Sequence, residues 1–374
     1  MRYRIEKDAL GEKTIPQEAY YGVGTERSKG AFQITKHGLS RQMIKALATV
    51  KKVSAKTNGK MGLLNEKESE AICLSCDEIL NGRLHGQFVV DVLHDGYGYG
   101  MDINANEVVC NRANEMLGGK KGMYSPVSLE KMTIFQDINE VTVLTGKLTA
   151  VKLTKKLVAE CKKTYNVIYD KVKKSEADQD SFVFRQLMSF GEILERDTKR
   201  IDKAIPSLLQ ISYGKKVDLQ ENKKEEYLQT FISYLNKEVT EKYVLSENKF
   251  NVSHNLDAFM YLSALVKDLM VNFSRSMSNF ISLINDGSVT IEDEICVNAS
   301  DSKLLYGFVR QVSFYIVGND MTISRSVEEG TLDDNPYMSI IYASLYESIN
   351  LVRRAIRTIK EKAFEIMTIN NKTK

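Results

Sequence analysis

The sequence predicts an all-α protein, a bundle of long helices behind a small N-terminal domain. Three observations predict it. Apolar residues recur three or four apart over 256–285 (Phe259, Leu262, Val266, Leu269, Phe273, Met277, Phe280, Ile284) and again over 337–368 (from Met338, Ile341 and Leu345 to Ala363 and Ile366). That spacing lines one face of a helix. Residues 127–205 hold no proline and only two glycines, Gly146 and Gly191, so little in them interrupts a helix. At 374 residues, 43% hydrophobic and 27% charged, the chain can bury a sizeable core.

In chain order, Arg4-Ile-Glu-Lys-Asp-Ala-Leu-Gly-Glu12 and Ile15-Pro-Gln-Glu-Ala-Tyr-Tyr-Gly-Val-Gly24 read as extended segments and turns. Helical patterns occupy about 40–58 and 65–81. The second holds Cys73 and Cys76, one helical turn apart. No second pair completes a zinc site, so they read as buried small side chains.

The centre of the chain is Asp95-Gly-Tyr-Gly-Tyr-Gly-Met-Asp-Ile-Asn-Ala-Asn-Glu107. Gly96, Gly98 and Gly100 suit a loop whose backbone approaches something closely. The run from Asp102 to Glu107 supplies capping side chains, Val108 to Leu117 the apolar period, and Gly118-Gly119 the stop. A glycine loop entering a helix N-terminus is a natural anion site. It is no dinucleotide fingerprint, because the spacing of G-x-G-x-x-G and a surrounding βαβ unit are both missing.

Long helices follow, broken at Lys174-Ser-Glu-Ala-Asp-Gln-Asp180. Residues 214–255, the most polar part, read as a surface excursion. The two final helices carry more apolar stripe than one chain covers, so partner chains are expected.

A net charge of +3 is too mild to argue for nucleic acid or membrane. No apolar run reaches the length of a membrane span, and Met1-Arg-Tyr-Arg-Ile-Glu6 lacks a signal peptide's apolar core, so a cytoplasmic protein is expected. Five cysteines, an odd number, do not suggest a disulfide framework. His37, His85, His94 and His254 fall at no metal-ligand spacing, and neither metal nor cofactor is expected.

Several of these segments resemble the aspartase/fumarase superfamily. Residues 4–25 follow its opening, Arg-x-Glu-x-Asp-x-Leu-Gly then Val-Pro-x-x-Ala-Tyr-Tyr-Gly-Val-x-Thr, almost position by position down to Thr25. Asn104-Ala-Asn-Glu107 keeps the helical half of the family's Gly-rich loop and helix. Val309-Arg-Gln-Val-Ser-Phe-Tyr-Ile-Val-Gly-Asn-Asp320 matches the helix after the family's mobile loop. The resemblance covers roughly 4–210 and 255–366. It implies an N-terminal domain at 1–127 and a central helical bundle at 128–374, with the family's small C-terminal domain absent. It further implies anti elimination of ammonia from an aspartate-like substrate, a small dicarboxylate or amino-acid ligand, and a homotetramer whose sites draw on several subunits.

At the positions that carry the chemistry, this sequence departs from the family. The loop hydroxyls become Tyr99 and Gly100, and Tyr97 and Tyr99 are expected to fill the pocket the family leaves open. The Gln-Ser-Thr-Asn-Asp motif reads Gln136-Asp-Ile-Asn-Glu140, which puts Asp137 where an anionic substrate should bind. The family's Gly-x-Ala-x-Gly-Thr stretch is reduced to Gly214-Lys-Lys-Val217. Counting back from Val309 puts Ser302 at the mobile loop's asparagine, Ser300 at its lysine and Glu294 at the catalytic serine. The implied substrate-binding residues are Tyr99, Gly100, Asn104, Gln136 and Asn139. The catalytic candidates are Glu294, as a carboxylate base, with Ser300 and Ser302. Two functions follow: a lyase of the aspartate ammonia-lyase type, or a non-catalytic or regulatory homologue that keeps the bundle for assembly, with an intact paralogue as partner.

Overall fold

A computed structural model of the chain describes residues 2–175, 177–248, 252, 255–291, 302–331 and 335–370. The N-terminal segments form an antiparallel hairpin, β1 (Tyr3–Asp8) and β2 (Gly11–Pro16), in register from Tyr3↔Pro16 to Asp8↔Gly11. A short helix that the sequence reading did not assign follows, α1 (Val23–Ala31). Helices α2 (Arg41–Lys60) and α3 (Glu66–Leu80) fall within two residues of expectation. Their starts follow from their caps: Ser40 Oγ accepts from Met43 N at 3.3 Å, and Asn65 Oδ1 from Glu68 N at 2.9 Å.

The order continues with α4 (Tyr99–Met116), the short α5 (Leu129–Met132), α6 (Ile138–Lys174) and α7 (Phe182–Leu208). Two-residue strands β3 (Gln210–Ile211) and β4 (Val244–Leu245) pair in parallel around α8 (Glu221–Glu238). Then come α9 (Asp257–Asn285), β5 (Val289–Ile291), α10 (Ser302–Glu328), α11 (Met338–Ile359) and β6 (Met367–Ile369). Among the described residues no helix is long and apolar enough to cross a membrane.

Two compact units divide the chain. Met1–Thr149, Leu208–Leu256 and Ser326–Ala343 make the first; Ala150–Ser207, Asp257–Arg325 and Ser344–Lys374 make the second. Compactness thus interleaves the sequence, where the expected boundary after residue 127 is a single cut.

In the first unit α8 overturns the surface-excursion reading of 214–255. Tyr227, Leu228, Phe231 and Leu235 are buried at helical spacing beneath a charged outer face. Tyr227 donates to Asn58 of α2 at 2.9 Å, and Glu238 ion-pairs with Lys52 and Lys56. Tyr213 stacks on Phe231 at 3.7 Å between ring centres.

In the second unit Phe190 of α7 meets Phe273 of α9 at 5.4 Å and Phe364 at 5.2 Å, edge to face. The expected helix over 337–368 ends sooner. Regular α-helix stops at Ile359 and widens to a π-turn over Lys360–Phe364. Residues 367–369 are a strand on β5. Ala363 and Phe364 stay buried in the widened turn, which is why the apolar period runs on past the helix.

Candidate functional site

The alternating glycines shape the turn that starts α4. Gly98 sits at φ +84°, and a Cβ on it would meet Thr142 Oγ1 within 2.6 Å. A Cβ on Gly96 would strike the carbonyl of Pro336. Only glycine fits both constraints. Asp95 reaches across this turn. Its Oδ1 accepts from Tyr99 N at 2.7 Å and its Oδ2 from Gly100 N at 2.5 Å. The amides expected to form an anion site at the helix N-terminus are bonded by the chain's own carboxylate. Because Asp95 supplies the cap, the helix begins at Tyr99 rather than near Asp102. The run from Asp102 to Glu107 therefore lies inside α4 and caps nothing.

Those inward residues have internal partners instead. Asp102 Oδ1 lies 2.6 Å from Lys51 Nζ, a pair whose side chains are 4% and 0% exposed. Lys51 Nζ also donates to Gln136 Oε1 at 2.6 Å, and Gln136 Nε2 donates to Met132 O at 2.7 Å. Asn104 is fully buried. Its Oδ1 accepts from Val89 N and its Nδ2 donates to Gln87 O, both at 2.9 Å. Glu107 accepts from the amides of Gly22, Gly24 and Thr25 and from Thr25 Oγ1. Burial still pushes its carboxyl above the ordinary range. The Tyr-Tyr-Gly opening is thus a latch on α4. Arg4 completes it with bonds to the carbonyls of Pro16, Ala19 and Tyr21.

At the start of α6, Asp137 Oδ1 caps Glu140 N at 3.2 Å, and Asp137 Oδ2 lies 3.8 Å from Lys216 Nζ. Glu140 accepts from Ser212 Oγ and Gly214 N, each at 2.9 Å, and from Lys215 N at 3.1 Å. Burial raises its carboxyl too. Gly214-Lys-Lys-Val217 therefore serves as a donor loop for Glu140. Asn139 is buried beside it.

Gly100, Asn104, Gln136 and Asn139 all lie in the first unit, Gly100 on Asp95, Gln136 on Lys51, and Asn104 on the backbone at 87–89. Tyr97 and Tyr99 do not fill a pocket. Their rings are 40% and 48% exposed and pack edge to face on each other at 6.0 Å. That correction follows from Tyr99 being the first helical residue, with its amide turned in and its ring out. Ser302 belongs to the second unit, where it opens α10, buried, 3.5 Å from Asn285 Oδ1. Glu294 and Ser300 lie outside the described residues. Sequence reasoning missed Lys51, which reads as one surface lysine among many. Asp95 stands three residues before the N-cap Gly98, outside the usual capping position, so the sequence alone gives it no role.

This geometry defines a long-helix scaffold in which α4 begins at a glycine turn. A protein-family model described as Lyase matches residues 11–182. The aspartate ammonia-lyase of Bacillus subtilis (strain 168) is 31% identical over 393 residues, covering 99% of this chain and 82% of that protein. The fumarate hydratase class II of Neisseria meningitidis is 28% identical, over 96% of this chain and 83% of that one. Among solved structures, native fumarate lyase:delta crystallin from Brucella melitensis aligns with a TM-score of 0.88 at 26% identity, over 99% of this chain and 89% of that one. Its cobalt-bound form gives a TM-score of 0.90 at 24% identity, over 99% and 85%. The chain belongs to the aspartase/fumarase superfamily.

Proposed function

We propose that this chain is an aspartate ammonia-lyase-like protein that has kept the scaffold and lost the usual anti elimination. One observation carries the reading: polar groups that the resemblance would turn toward a substrate are spent inside the fold. Gly100 N is held by Asp95, Asn104 by residues 87 and 89, and Gln136 by Lys51 and Met132. Elimination beside a carboxylate needs preorganised donors aimed at developing negative charge. Freeing an internally bonded donor costs about 0.5–1.5 kcal/mol for each net hydrogen bond broken. Asp137 adds a repelling charge.

The role left to such a chain is assembly. Helix α10 exposes Leu304, Phe308, Phe314, Tyr315, Val317 and Met321, a surface suited to further copies in a homotetramer or to an intact homologue that supplies the missing groups. A cytoplasmic location belongs to the same proposal.

A second reading, ammonia elimination from an aspartate-like substrate, is favoured by the 31% identity to the Bacillus subtilis aspartate ammonia-lyase. Fumarate absorbance, followed with purified homogeneous protein and aspartate or argininosuccinate, separates the two. The first reading expects no fumarate above the blank. A kcat above about 1 s⁻¹ overturns it in favour of the second.

A further inference from the structure

We propose that a cavity of about 450 Å³, between the β1–β2 hairpin and the loop after α4, binds a monocarboxylate with an apolar body. The proposal goes beyond the reading of lost elimination and does not depend on it. The cavity lies at the far end of α4 from the glycine turn. Glu115, in the last turn of that helix, lines it, about 24 Å along the axis from Tyr99.

The walls follow from the local backbone. Side chains alternate along β1, so Glu6 is buried while Ile5 stays 70% exposed. The loop 118–123 returns against the same hairpin. Gly122 sits at φ +81°, and a Cβ on it would meet Glu6 Oε1 at 2.7 Å. Its amide donates to Asn111 Oδ1, also at 2.7 Å. The loop is thereby held where Met123, 69% exposed, lines the same cavity as Ile5. Two large apolar side chains left to water on one cavity mark a surface for an apolar ligand.

The charges select the other end of that ligand. Arg4, Lys120 and Lys121 line the cavity with Glu18 and Glu115, which leaves one positive charge over. Arg4 is used by Glu6 and by the carbonyls of Pro16, Ala19 and Tyr21. Glu115 accepts from Tyr20 Oη at 2.6 Å and from Arg112. Lys121 Nζ stands 4.0 Å from the Tyr20 ring centre, and 3.8 Å and 4.0 Å from Glu115 and Glu18. The ammonium of Lys120 is exposed and has no partner among the described residues. One free cation beside two apolar walls suits a single carboxylate on an apolar body. A second carboxylate on the ligand would meet Glu18 or Glu115.

The probe is 2-naphthoate, whose fluorescence can be read directly because the chain has no tryptophan. Its anisotropy on purified protein should saturate with a Kd on the order of 0.1 mM. The uncharged 2-naphthamide should bind about tenfold or more weakly, the loss of one charged hydrogen bond. Lys120→Gln should weaken naphthoate by the same factor and leave naphthamide unchanged. Met123→Asp should abolish binding of naphthoate, and Ile5→Asp tests the same wall from the hairpin. All three side chains are exposed, so circular dichroism should match wild type. Succinate should not displace the probe.

No saturation up to about 10 mM naphthoate would mean there is no such site. Wild-type affinity in Lys120→Gln, or in both aspartate variants, would place the probe elsewhere. Displacement by succinate would make it a dicarboxylate site. Each of these results overturns the inference. None of the measurements reads fumarate, so the proposed function stands or falls separately.

Discussion

Lys51 holds two polar groups in a place that water does not reach. Its Nζ lies 2.6 Å from both Asp102 Oδ1 and Gln136 Oε1. Removing one partner of a buried pair leaves the other charge uncompensated, so Lys51→Ala should cost about 3–5 kcal/mol in urea unfolding. Replacing both, Lys51→Met with Asp102→Asn, should recover most of that loss. A double variant no more stable than Lys51→Ala would show that packing of the lysine stem, not charge pairing, matters there. Glu140 offers a pH test. Burial raises its carboxyl above the ordinary 4.5 although three donors favour the charged form. A carboxyl whose folded pKa exceeds its unfolded one holds its proton longer when folded. Its contribution is whole below 4.5 and is lost as pH rises through the folded value. Wild-type Tm should therefore fall relative to Glu140→Gln as pH is raised from 4.5 toward neutrality; parallel curves would contradict the shift. Residue identities at the site were partly legible in the sequence. Gln136, Asn139 and Asn104, picked out from the sequence, are all buried in the first unit. Which of their atoms are spent was not legible, because that depends on Lys51 and on the backbone at 87–89, distant in sequence.

Among the elements, α9 was legible almost to the residue, expected over 256–285 and found at Asp257–Asn285, because its buried face repeats without interruption. Helix α8 was not, because its four buried residues lie among many charges and do not dominate the composition. The end of α11 was misjudged for a different reason. Burial, which the apolar period reports, continues through the π-turn, whereas hydrogen-bond geometry does not. Two predictions belong at this scale. Phe190 is 4% exposed and touches aromatic rings from α9 and the π-turn. Phe190→Ala should cost about 3–5 kcal/mol, the range for a large buried ring replaced by a cavity. A loss under about 1 kcal/mol in denaturant titration would mean that the cluster collapses around the gap. Gly98→Ala should destabilise by at least about 1 kcal/mol, because it puts a Cβ at positive φ and against Thr142. Gly62, also at positive φ but with nothing near its missing Cβ, is the control. Gly62→Ala carries only the backbone strain, so it should cost less than Gly98→Ala in the same titration.

At the scale of the whole molecule, α10 presents an exposed apolar surface. Leu304, Phe314 and Met321 are each at least 60% exposed, and Phe308, Tyr315 and Val317 are 37%, 49% and 44% exposed. Phe308 and Tyr315 are seven residues apart, as are Phe314 and Met321, the repeat of a helix that packs along a partner helix. Burying one large apolar side chain contributes about 1.5–3 kcal/mol. Six such residues on each of two facing helices start 37–64% exposed, so about half of that burial is left to gain, on the order of 9–18 kcal/mol in all. Association costs roughly 4–15 kcal/mol before side-chain ordering. A gain near the upper end against a cost near the lower end sustains an oligomer at micromolar concentration. Light scattering should then give a multiple of the 42.4 kDa chain mass. Phe314→Asp combined with Met321→Asp puts two charges on the seam. That variant should shift the mass toward the monomer while leaving helix content unchanged by circular dichroism, because both side chains face outward in the single chain. A monomeric wild type would sink the assembly reading, and an oligomer indifferent to both charges would place its interface away from α10.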